Sequence, residues 1–170
     1  MKTVASIVLA VLLAGGPGHA ADLLLVDPKP VAVTVQDRDG HEHASSDWSD
    51  DLVLVHFWAS WCGSCRTEFP AIETLQREMR RDGVKVAAVS IDRMGWPVID
   101  RTLSALEIRD VAVFHDRDRQ AARRLDIVGL PTTVVLDGRG REVARVIGTG
   151  NWNDPALRDR LRSLRTSGGL

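Results

Sequence analysis

Cysteine is nearly absent from this chain: two occur among 170 residues. That excludes a disulfide-stapled small domain and a four-cysteine zinc site. Tyrosine is missing altogether, for which the sequence offers no physical reason, and three Phe and five Trp are the whole aromatic complement. No excess of one charge exists either. The 22 basic and 23 acidic residues leave a formal net charge of −1, so bulk electrostatics select no partner. The arginines are interleaved with aspartates, as in Asp116-Arg117-Asp118-Arg119. That reads as a solvated face rather than a phosphate-binding stripe, and no nucleic-acid partner is expected. No repeat or low-complexity tract is present. What remains is ordinary: 44% hydrophobic residues, enough for one domain with a short extension.

The longest N-terminal apolar run, Val4 to Ala14, falls short of the roughly 20 residues needed to span a bilayer. Lys2 gives it a positive start, Gly15-Gly16-Pro17-Gly18 breaks it, and Gly18-His19-Ala20 supplies small residues for cleavage. Residues 1–20 therefore read as a secretory signal cleaved near Ala20, the alternative being a retained anchor. No cysteine stands directly after the cleavage region, where Ala21 follows Ala20, which argues against lipoprotein attachment. Export places the mature chain in an oxidising compartment. The expected organisation is signal 1–20, an N-terminal strand and loop extension 21–50, and a domain over 51–170.

Asp27-Pro28-Lys29-Pro30 reads as extended backbone, Val31 to Val35 as a strand, Asp37-Arg38-Asp39-Gly40 as a turn, and the polar residues 41–50 as loop. Leu52 to Trp58 is a near-continuous apolar run, suited to a strand covered on both faces. Phe69, Ile72, Leu75 and Met79 then recur at helical spacing, with Pro70 expected to kink the helix. Val84–Ile91 reads as a second buried strand, 98–106 as a helix, 111–114 as a short strand and 118–126 as a helix. Strands at 132–136 and 142–147 flank the turn Asp137-Gly138-Arg139-Gly140. A closing helix carries Leu157, Leu161 and Leu164, with Pro155 at its first position. Helices alternating with buried strands predict an α/β fold with parallel strand pairs and an antiparallel edge hairpin.

The two cysteines stand in Trp61-Cys62-Gly63-Ser64-Cys65, where the apolar strand gives way to the helix. A cysteine at a helix N-terminus faces unpaired N–H groups and the positive end of the dipole, which favour the thiolate that attacks disulfides. The alternatives are a structural disulfide, of small stabilising effect in so tight a loop, and half of a zinc site, for which no second cysteine pair exists.

Phe57-Trp58-Ala59-Ser60-Trp61-Cys62-Gly63-Ser64-Cys65, Glu68-Phe69-Pro70, Val128-Gly129-Leu130-Pro131-Thr132-Thr133 and Asp137-Gly138 occur in this order. Over roughly residues 31–165 the chain thereby resembles the exported TlpA/ResA/DsbE-like branch of the thioredoxin fold. The resemblance implies a thioredoxin-like α/β domain, a central mixed β-sheet flanked by helices, with an N-terminal strand or hairpin extension. It implies that Cys62 is the exposed nucleophile and Cys65 the resolving thiol, that Pro131 is cis, and that Leu130 and Trp61 meet substrate. Glu68 matches an acidic residue that can exchange a proton with Cys65; otherwise it is an early-helix carboxylate facing the dipole.

His56 and Ser64 depart from the family pattern. His56 is either a base for Cys65 or a hydrogen-bonded core histidine. Ser64 replaces the usual proline and brings a hydroxyl near the thiolate. Trp58 is expected to pack in the core and Arg66 to be solvated; Trp96 and Trp152 have no assigned role. His41-Glu42-His43 suggests copper or zinc only if further ligands join it. The function implied is a periplasmic thiol:disulfide oxidoreductase, reducing disulfides of exported proteins, possible substrates including apocytochrome c and copper-site proteins. It would be monomeric, would draw electrons from a membrane thiol donor, and would use no cofactor beyond the Cys62–Cys65 disulfide and no metal. The alternative is a copper-binding metallochaperone or binding module on the same fold. A thiol peroxidase lacks its motif, since Ala59 stands three residues before Cys62 where threonine is required.

Overall fold

The computed structural model describes residues 22–48 and 52–167. The expected signal, residues 1–20, lies outside them. Strands β1 (Leu24–Pro30), β2 (Thr34–Gln36) and β3 (Glu42–Ala44) precede β4 (Leu52–Trp58). Helix α1 (Gly63–Met79) leads to β5 (Val84–Ser90), α2 (Trp96–Ala105), β6 (Ala112–His115) and α3 (Gln120–Arg124). The chain closes with β7 (Thr132–Leu136), β8 (Arg141–Ile147) and α4 (Pro155–Ser167).

The strands form one sheet in the order β1-β8-β7-β4-β5-β6-β2-β3. β4 pairs parallel with β5, and β5 with β6. β4–β7, β7–β8, β1–β8, β2–β6 and β2–β3 are antiparallel. This is the expected mixed sheet. Every residue of β4 is buried, as a central strand covered on both faces demands. Both edge strands, β1 and β3, come from the segment expected as an extension.

Register brings the functional segments to one end of the sheet. β4 and β5 run parallel to Trp58↔Ser90, so the residues after both strands emerge together. β7 runs the other way, with Thr132 opposite Phe57. The residues before β7 therefore sit at that same end. β8 finishes there too, with Ile147 opposite Thr132.

α1 buries Cys65, Glu68, Phe69, Ile72, Leu75, Gln76 and Met79 at three- and four-residue spacing, one face turned to the sheet. The Phe69 ring meets Trp58 edge-on, centroids 4.8 Å apart. Pro70 is exposed and α1 remains a single helix through it. Among the described residues no helix is long and apolar enough to cross a membrane.

Two local expectations are corrected. The strand expected over 31–35 is β2, at 34–36. The backbone N–H groups of Val31 and Val33 go instead to the Gly140 carbonyl and to Ser45 Oγ. Residues 42–48 are not loop. They form β3 and a 3-10 turn, because the Asp37–Gly40 turn folds polar residues back onto β2, with Gly40 at φ +85°.

Candidate active site

The turn between β4 and α1 is held by a residue that the sequence reading left aside. Buried Asp92, just beyond β5, accepts the Ser60 N–H at 2.8 Å and the Ser60 hydroxyl at 2.6 Å, as well as the Ser90 hydroxyl at 2.8 Å. Cys62 N–H then donates to Ala59 O at 3.1 Å, which sets Cys62 as the N-cap of α1. Its sulfur accepts the Cys65 N–H at 3.2 Å and lies 3.5 Å from Ser64 Oγ. In the reduced protein the same two donors would stabilise a thiolate at that sulfur.

Cys62 and Cys65 are joined in a disulfide. Cys65 is fully enclosed and Cys62 is 7% exposed. That small opening faces a groove of about 430 Å³, lined by Trp61, Cys62, Ser64, Arg119, Val128 and Leu130 among others. Trp61 (64% exposed) and Val128 (92% exposed) stand on its rim. A visiting thiol or disulfide therefore meets Cys62 and not Cys65. The Leu130–Pro131 peptide is cis, and Leu130 lines the groove with Cys62. Trp61 and Leu130, singled out in the sequence, thus line one groove with Cys62; Arg119, on the loop between β6 and α3, lines it as well and was not singled out as a site residue.

Below the disulfide lies a buried acid–base pair. Glu68, 4% exposed, accepts the Gly150 N–H at 2.9 Å and the Trp152 indole N–H at 2.8 Å on Oε2. Its Oε1 has no hydrogen-bond partner and lies 3.7 Å from His56 Nε2, which has none either. His56 Nδ1 is 2.9 Å from Thr133 Oγ1. Burial pushes the Glu68 carboxyl up to about 7, and the bonds from Trp152 and Gly150 only partly oppose it. Burial pushes the His56 imidazole down to about 3. Below about pH 7 the pair thus holds one proton, on Glu68, and near pH 7 the carboxyl exchanges it. One helical turn separates Glu68 from Cys65, which places the carboxyl on the same face. Trp152, without a role in the sequence reading, is the donor that orients this carboxylate.

The remaining candidates lie elsewhere. Trp58 is buried in the core and Arg66 is exposed. The Arg38 guanidinium sits 5.9 Å over the Trp96 ring. His41 and His43 both reach Asp37 Oδ2, at 3.2 and 2.9 Å. The bond from His43 is the chief cause that holds the Asp37 carboxyl down at about 2. Donor atoms of Asp37, Asp39 and His41 lie within 4.8 Å of one another on the exposed β2–β3 hairpin. None of these residues lines the Cys62 groove.

The sequence matches the AhpC/TSA family over residues 27–144. It is 30% identical over 130 residues to the thiol-disulfide oxidoreductase ResA of Geobacillus kaustophilus, covering 76% of this chain and 72% of that one. It is 29% identical over 115 residues to the ResA of Bacillus subtilis, covering 68% and 63%. Among solved structures, a candidate thiol:disulfide interchange protein DsbE from Chlorobium tepidum superposes with a TM-score of 0.71 at 25% identity, over 86% of this chain and 97% of that one. StoA from Bacillus subtilis shares the fold, with a TM-score of 0.63 at 19% identity, over 80% and 97%.

Proposed function

The chain belongs to the AhpC/TSA family as a thiol-disulfide oxidoreductase of the ResA type, and from that premise we propose that it works in the periplasm as a reductase of exported proteins, with apocytochrome c among its substrates. The observation that carries this reading is the asymmetry of the pair. Cys62 opens onto a groove at a helix N-terminus, whereas Cys65 is sealed beside a protonatable carboxyl.

In the reduced protein the Cys62 thiolate attacks one sulfur of a partner disulfide. A mixed disulfide forms and the partner's other sulfur leaves as thiolate. Cys65 then gives up its proton, for which ionised Glu68 is the nearby acceptor. The Cys65 thiolate attacks Cys62 Sγ, closing the Cys62–Cys65 disulfide and releasing the partner's second thiolate. Two electrons have passed to the partner. A membrane thiol donor restores the dithiol by the reverse exchange. Glu68 acts here as a proton carrier, Trp61 and Leu130-Pro131 as the walls against which the substrate chain lies.

Reduction of insulin and of an oxidised Cys-x-x-Cys-His peptide by the dithiol form tests the activity, and equilibration against glutathione buffers tests its direction. Cys65→Ser should accumulate mixed disulfides that identify the partners from a periplasmic extract, and Cys62→Ser none. A wild-type protein whose Cys62 exchanges with no disulfide under any redox condition would overturn the reading. Glu68→Gln should flatten the pH dependence of reduction near neutrality; an unchanged profile would remove Glu68 from the proton transfer.

A further inference from the structure

Arg119 is built into the wall of the Cys62 groove in a way that ordinary surface arginines are not. It is the one charged residue among those described that line this groove, the others being apolar, small or hydroxyl-bearing. Its Nε is buried and has no hydrogen-bond acceptor. No carboxylate among the described residues pairs with its guanidinium, whereas Arg38, Arg141, Arg145, Arg158 and Arg162 each meet one. Its backbone lies at φ +54°, a region that favours glycine and strains a long side chain. The surrounding loop imposes that conformation. Asp116 O accepts the Arg119 N–H at 3.0 Å, and the Asp116 carboxylate accepts the Ala121 and Ala122 N–H groups at 3.2 and 2.8 Å. A left-handed backbone thus holds a cation without a carboxylate partner on the groove that Cys62 opens onto.

A guanidinium that has no carboxylate partner and lines a groove takes one through paired N–H groups. We propose that Arg119 is a specificity-determining residue of this groove, receiving a side-chain carboxylate that the substrate polypeptide carries beside its reactive cysteine. The proposal rests on the reductase reading above. It makes the enzyme choose among polypeptide disulfides by the charge next to the sulfur rather than by the disulfide alone.

The test uses two peptides blocked at both ends, each with one Cys-x-x-Cys disulfide, flanked by glutamate in one and by lysine in the other. Stopped-flow tryptophan fluorescence follows their reduction by the dithiol form of the full protein. The wild type should reduce the glutamate peptide about tenfold faster than the lysine peptide at low ionic strength, a preference that shrinks as salt is raised. In Arg119→Gln the ratio should fall to within about twofold, and Arg119→Lys should keep part of it. Arg119→Gly, which the +54° backbone accepts without strain, should lose the preference as well, in a chain that folds at least as well. An undiminished ratio in Arg119→Gln and Arg119→Gly overturns the proposal. So does an equal slowing of both peptides with a shifted pH midpoint for alkylation of Cys62 by iodoacetamide, which would make Arg119 a partner of the thiolate instead. Failure of the wild type to reduce either peptide would sink the reductase reading itself, and the proposal with it.

Discussion

Replacing Glu68 by glutamine should make the oxidised protein more stable above neutral pH while leaving it unchanged in mild acid. The carboxyl stands at about 7 in the fold, against an ordinary value of 4.5, because burial disfavours its charged form. Between those two values the folded chain holds a proton that the unfolded chain has released. The contribution of this group to stability therefore falls as pH rises from 4.5 to 7. Each tenfold change in proton affinity is worth about 1.4 kcal/mol, so the whole window amounts to about 3 kcal/mol. His56 works in the opposite sense. Burial holds it at about 3 against 6.5, so its contribution is complete above 6.5 and is lost as pH falls toward 3. From pH 4.5 to 6.5 the two slopes cancel. Either state of the protein then carries one proton, on Glu68 when folded and on His56 when unfolded. Wild type should show a plateau there and a decline on approaching pH 7. Glutamine keeps an oxygen for the Trp152 and Gly150 N–H groups and turns an amide toward His56, much as the protonated acid does. The Glu68→Gln variant should thus match wild type near pH 4.5 and exceed it by about 3 kcal/mol above pH 7.5. Urea unfolding of both oxidised proteins from pH 4 to 8.5, read by tryptophan fluorescence, measures the difference. A gap that stays constant across that range would refute the argument, since it would mean that Glu68 titrates alike in the folded and unfolded chains.

Three further outcomes follow from the same structure. Trp152→Phe removes one of two donors to Glu68 Oε2; it should raise the carboxyl further and cost about 1–2 kcal/mol at pH 8, which carbon NMR of the Glu68 carboxyl and urea midpoints will show. Arg119→Gly relieves a left-handed arginine and should stabilise the fold by about 0.5–1 kcal/mol; a lower urea midpoint would contradict the strain at this position. Phe69→Ala deletes the ring packed edge-on against Trp58 and His56, and should cost about 3–5 kcal/mol in denaturant unfolding at an unchanged m-value.

What could be read from the chain was local. The apolar run into β4, the three-residue cysteine spacing and the helical periodicity after it all act within a few residues, so Cys62 at the head of α1 followed directly. β3 did not, because Glu42-His43-Ala44 has no strand-like alternation of its own and is recruited by pairing with β2. The cis bond at Pro131 came from resemblance, since X–Pro bonds are cis in only about 5–6% of cases. Asp92 reaches Ser60 across 32 residues and Trp152 reaches Glu68 across 84, distances over which no periodicity or motif carries a signal.

Sequence alone therefore determined where the cysteine pair sits and that Cys62 heads a helix, because capping and strand burial are settled by neighbours in the chain. Only tertiary structure decided that Cys65 is sealed, that Glu68 shares a dry site with His56, and that Arg119 looks onto the groove. Those properties depend on desolvation and on strand register, which bring together groups that the chain holds far apart.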